Sequence, residues 1–155
     1  MKESLKGYIL SAFMVLLFAL TGCSEERETI KHDFTYTGEG ELWSAVYEVN
    51  GTQVFYKEDG VLKHDSEKAT KFQLIYKGSL EDLTSIKKLE YDYLSNIGSG
   101  RGWSKEFNPP PTDNIFTEID KVKGGALESK DSIIRVTVKW DGNTEEFTLE
   151  NNEVK

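Results

Sequence analysis

Nearly everything that would point to covalent, redox or metal chemistry is scarce in this sequence. Cys23 is the only cysteine among 155 residues, so neither an intrachain disulfide nor a CxxC zinc site can form. Histidine occurs only as His32 and His64, and neither adjoins a nucleophile elbow or a metal-ligand spacing. Both therefore read as exposed and structurally idle, His32 in or near a polar tether and His64 in a polar loop. EF-hand, Walker and HExxH patterns are all missing. Gly38-Glu39-Gly40 and Gly124-Gly125 are isolated turns, too short for a phosphate loop. The three prolines are spent in one run, Pro109 to Pro111. No cofactor and no metal is expected, and a single apolar core has to hold the fold.

Bases are also in deficit, 19 against 27 acids. From Cys23 onward there are 133 residues with 17 bases and 26 acids, a net charge of −9 with histidines neutral. Such a field repels nucleic acid and anionic headgroups over about a Debye length, so no nucleic-acid partner is expected. The plainest use of the excess acid is solubility.

Long apolar runs are missing too. The uncharged stretch Tyr8 to Leu20 has thirteen residues, whereas a spanning helix needs about 20 and a signal-peptide apolar region about 7 to 15. Lys2 and Lys6 precede it, and Leu20-Thr21-Gly22-Cys23 ends it, followed by the charged Ser24 to Glu28. This end resembles the lipobox of bacterial lipoproteins, in which a leucine and two small residues precede a cysteine. Small side chains let a signal peptidase close on the scissile bond, and a thiol is the nucleophile that accepts diacylglycerol as a thioether. The resemblance implies cleavage of residues 1–22, lipidation of Cys23 and room for an acyl group such as palmitate on the new amino terminus. Two or more chains give stable anchoring where one does not. The implied location is the extracytoplasmic face of a cell membrane. Ser24 stands where an inner-membrane retention signal would carry aspartate.

Residues 23–40 read as a lipidated polar tether, although Phe34 and Tyr36 alternate with polar neighbours as an edge strand would. Residues 41–155 read as one domain. Trp43, Ala45, Tyr47 and Val49 alternate, and Asn50-Gly51 suits a type I′ turn leading back through Thr52 to Lys57. Glu58-Asp59-Gly60 predicts a second turn into Val61 to Lys63, and His64 to Thr70 reads as a loop. Phe72, Leu74 and Tyr76 form a strand, Ser79 to Asp82 has capping-box spacing for a turn of helix, and Leu89, Tyr91 and Tyr93 resume alternation. The clearest hairpin joins Ile134 to Trp140 with Phe147 and Leu149 through Asp141-Gly142. Short strands, frequent turns and no long amphipathic helix predict an all-β fold, an antiparallel β-sandwich of about seven strands with immunoglobulin-like layers. Leu89 to Tyr93, the glycines before Pro109-Pro110 and Val136 to Gly142 resemble small uncharacterised lipoproteins of Gram-positive bacteria. That resemblance implies the address and the sandwich and brings no activity with it.

For chemistry, the carboxylates are too many to single out a pair. Asp92 with Asp113 could in principle serve a glycosidase, but a solvated acidic surface explains such acids equally. Asn96 to Thr112 reads as a long loop in which three glycines surround Arg101, Trp103 follows, and Phe107 precedes the prolines. Arg101, Trp103 and Phe107 are the candidate binding surface for a protein, peptide or cell-wall ligand. The competing expectation, favoured by the ordinary fate of large aromatics, is that Trp103 and Phe107 fold inward to plug one end of the sandwich. The expected class is a non-enzymatic binding or interaction domain. An accessory subunit of a membrane-protein complex and a carboxylate-dependent cell-wall hydrolase are the alternatives.

Overall fold

The computed structural model describes residues 27–151. The lipobox, Cys23 and the first residues of the tether lie outside them. Among the described residues eight antiparallel strands make one curled sheet, and the helix content is a single turn. In chain order the strands are β1 (Arg27–Glu39), β2 (Trp43–Glu58), β3 (Val61–Tyr76), β4 (Lys88–Ser95), β5 (Gly100–Glu106), β6 (Ile115–Lys123), β7 (Ile134–Trp140) and β8 (Asn143–Asn151). The spatial order is β5-β4-β7-β8-β1-β2-β3-β6. The helical turn α1 (Leu80–Leu83) starts where expected, with the Ser79 backbone N–H donating to Asp82 at 3.1 Å. Among the described residues no helix is long and apolar enough to cross a membrane.

All-β architecture is what the alternation predicted, but the strands number eight and form one continuous sheet. Two predicted turns are present. Asp59 and Gly60 (φ 52° and 77°) close β2 onto β3, and Asp141 and Gly142 (φ 43° and 86°) close β7 onto β8, the backbone that a type I′ hairpin demands.

Four local expectations need correction. The tether ends earlier than residue 40, because Arg27–Glu39 is a full strand paired with β2 along its whole length and with β8 at Tyr36 and Thr37. Asn50-Gly51 is no turn; it lies mid-strand, with Asn50 opposite Asp33 and Ala69, and Gly51 opposite His32 and Lys68. Here glycine serves close approach, since a Cβ on Gly51 would stand 2.4 Å from Leu127 Cδ2 and 2.9 Å from the Glu67 carbonyl oxygen. His64 to Thr70 is strand as well, the middle of an unbroken β3. Asn96 to Thr112 holds edge strand β5, so its irregular part is much shorter than seventeen residues suggested.

The curl wraps an aromatic core. Tyr36, Trp43, Tyr47, Phe72, Tyr91 and Tyr93 are all buried, and rings from the two ends of the sheet meet across it. Tyr47 lies 4.5 Å from Tyr93, and Trp43 lies 5.7 Å edge-on to Trp140. Such ring pairs add roughly 0.5–1.5 kcal/mol each beyond the area they bury.

Candidate functional site

Along each inward face the residue types change from one end of the sheet to the other. On β3 the inward positions run Tyr76, Leu74, Phe72, then Thr70, Lys68 and Ser66, all buried. A buried lysine requires partners. The connection between β6 and β7 supplies them, because residues 124–133 cross this end and turn Leu127 and Glu128 inward, Glu128 with no exposed surface. Lys68 Nζ donates to Glu128 Oε2 at 2.9 Å, to Glu128 Oε1 at 3.1 Å and to Ser99 Oγ at 2.8 Å. An ammonium has three N–H donors, and all three are used.

The rest of the connection is pinned as firmly. Tyr47 OH donates to Glu128 Oε1 at 3.3 Å, Tyr36 OH to the Ser129 carbonyl at 2.6 Å and Ser66 Oγ to the Gly125 carbonyl at 2.8 Å. His32 contacts the Glu128 carbonyl through Nδ1 at 3.2 Å and Gln53 Oε1 through Nε2 at 3.1 Å. His32 is thus half-buried and engaged, where exposure and idleness were expected. His64 is exposed and stacks on Phe55 at 5.3 Å. Burial, and then the charge of Glu128, push the Tyr36 phenol up to about 12. Tyr47 and Tyr93 are also shifted upward, chiefly by burial. Tyr36 and Tyr47 stay protonated and act as hydrogen-bond donors, and this end of the sheet is a lock held by buried polar contacts.

The second charged feature is the seam between the two ends of the sheet. Edge strands β5 and β6 terminate the strand order and face each other without a backbone ladder. Their inward positions carry charge: Arg101 and Lys105 on β5, Glu118 and Asp120 on β6. Arg101 Nε lies 3.0 Å from Asp120 Oδ2, and Lys105 Nζ lies 2.7 Å from Glu118 Oε1. Tyr91 OH donates to the same Glu118 oxygen at 2.7 Å, and its phenol is raised by burial first and by that carboxylate second.

Between the two ion pairs sits Trp103. Its indole stacks on Phe72 at 5.6 Å with 15° between the planes, and touches Tyr91 at 5.4 Å and Tyr93 at 5.9 Å. Phe107, also half-buried, packs on Phe116 at 5.8 Å. Arg101, Trp103 and Phe107 therefore share one inward face at the edge of the sheet, with both aromatic residues turned to the core. Asp92 and Asp113 lie on different elements, Asp92 between two inward tyrosines of β4 and Asp113 after β5, where its carboxylate accepts the Ile115 N–H at 2.9 Å. Among the described residues no group of three or more His, Cys, Asp or Glu side chains could hold a metal ion.

Sequence reasoning missed Lys68, Ser99, Glu128, Glu118 and Asp120. Only one signal was available: Glu118 and Asp120 stand on the same strand period as Phe116 and Val122, which places acids on a buried face. The chain matches no protein-family model and no curated protein.

Proposed function

We propose that this chain is a lipoprotein, cleaved before Cys23 and held by lipid on the extracytoplasmic face of a cell membrane, whose β-domain is a non-enzymatic binding module. The observation that carries the address is the register of Lys2 and Lys6, the uncharged Tyr8 to Leu20, and Leu20-Thr21-Gly22-Cys23. The two halves of the curled sheet are read as the two layers of a sandwich, immunoglobulin-like in layering alone. Ring contacts across the core, such as Tyr47 with Tyr93, support that view.

The binding element is the β5–β6 seam. Two strand edges without a backbone partner at the seam are templates for an extended segment of another chain. Half-exposed ion pairs contribute about 0–1 kcal/mol each, so they can be exchanged for a partner's charges at little cost. Trp103 beneath them offers a large apolar floor of the kind that dominates binding energy.

Intact-mass measurement of the natural product tests the anchor: an N-terminus at Cys23 carrying diacylglyceryl mass is expected, and an unmodified thiol or an uncut leader refutes it. For the seam, a photo-crosslinking residue at Ser104, exposed on β5, is compared in intact cells with one at Glu146, exposed on β8. A discrete product at Ser104 alone is expected. Equal capture at both positions, or none, would remove the seam as the binding element.

A further inference from the structure

The three longest strands run on past the rest of the sheet. β6 ends at Lys123, opposite Glu67, and β8 pairs with β1 only at Tyr36 and Thr37. Residues 27–29, 54–58 and 61–65 therefore pair only with one another, and with Ile30 and Gln53 at their base they make a three-stranded projection tipped by the Asp59-Gly60 turn. Its apolar residues are left in the open. Val61 is 59% exposed and Leu62 66% exposed, and Ile30 adds 39%.

These side chains do not share a face. Leu62 lies in register with Lys57, on the face of Phe55 and Ile30, while Val61 lies in register with Glu58, on the face of Tyr56 and Val54. A protein partner covers one face of such a ribbon; a tip that is apolar on both faces suits a medium that surrounds it. The flanking residues fit the same medium. Tyr56 lies under the Arg27 guanidinium at 5.7 Å, and Lys57 and Lys63 bracket the turn with long stems that can carry charge away from an apolar layer. Residues 27–31 and 53–65 together hold four bases and four acids, so the acid excess of the chain lies elsewhere.

The direction of the chain provides the second, independent argument. Arg27 pairs with Tyr56, and β1, traced backwards to Arg27, points along β2 toward the turn three residues beyond. Four residue steps separate Arg27 from Cys23, a reach of at most about 14 Å. A lipid on Cys23 thus enters the bilayer on the side of the hairpin tip, at the opposite end of β2 from Trp43.

We infer that the β2–β3 hairpin tip, with Val61 and Leu62 foremost, rests in the headgroup layer of the membrane that holds the Cys23 lipid, and that this contact stands the domain upright. The inference rests on the lipid-anchor reading above. Repulsion between the acidic remainder of the domain and anionic headgroups favours the same orientation.

The test uses the mature lipoprotein purified from cells and reconstituted into phosphatidylcholine–phosphatidylglycerol vesicles with brominated acyl chains. Cys23 is the chain's only cysteine, and as a thioether it cannot react. Leu62→Cys or Ile119→Cys then offers a single thiol for an environment-sensitive fluorophore, Ile119 being 69% exposed on the outer face of β6. The label at Leu62 is expected to be quenched by the brominated lipid several-fold more strongly than the label at Ile119. Equal quenching at the two sites, or none at either, in protein whose mass shows the lipid, overturns the inference and leaves the anchor standing. A mass showing an unmodified Cys23 overturns both.

Discussion

The ammonium of Lys68 lies 2.9 Å from the carboxylate of Glu128, with 6% and 0% of the two side chains exposed. Taking two ions out of water costs several kcal/mol apiece, and mutual attraction offsets this only while both remain. Removing one partner, as in Lys68→Met or Glu128→Leu, should destabilise the domain by about 3–5 kcal/mol, read as a fall in urea midpoint. The double variant Lys68→Met/Glu128→Leu should recover most of that loss. If the two single losses simply add in the double variant, the residues do not act as a pair.

Gly51 sets how closely the β6–β7 connection can approach the sheet. A Cβ there cannot fit without displacing Leu127 or the Glu67 backbone, so Gly51→Ala should cost roughly 1–3 kcal/mol. The damage should be local. Hydrogen exchange should quicken first at residues 125–133, and a stability equal to that of the unaltered chain would contradict the packing described.

Alkaline pH supplies a third check. The Tyr36 phenol ionises near 10 when unfolded and near 12 in the fold. Below pH 10 both states hold the proton, so the phenol's contribution to stability is constant and fully present. Between pH 10 and 12 only the unfolded chain releases it, so stability falls as pH rises through that window. Tyr47, Tyr91 and Tyr93 are raised as well and steepen the fall. Phenolate absorbance should appear together with unfolding, and Tyr36→Phe should flatten the early part of the loss. Phenols that titrate near 10 with the fold intact would refute their burial.

How much of this could be read beforehand varied from strand to strand. β7 and β8 were legible because Ile134, Val136, Val138, Phe147 and Leu149 alternate on one buried face around a turn that only a few residue types allow. Asn50-Gly51 misled because the same dipeptide serves a tight turn or a close approach, and the deciding neighbour, Leu127, is far away in sequence. β5 and β6 escaped notice because their buried faces carry Arg101, Lys105, Glu118 and Asp120 while Ile119 points outward, an inversion that makes sense only when the two edges meet. The lock was illegible for a related reason. Lys68 and Glu128 are 60 residues apart, and neither shows by itself that it is buried. Trp103 did turn to the core, as its size favoured, but on a strand rather than in a loop.

The short ladder from Tyr36 and Thr37 to Asn151 and Glu150 sets the order of assembly. During synthesis or secretion β1 must wait for β8 before the two halves are stitched together, so a chain that still lacks β8 keeps an open flank on β1. Closure is thereby tied to β8: a product cut short before it would leave β1 with one bare side, ready to capture a neighbour or to mark itself for proteolysis.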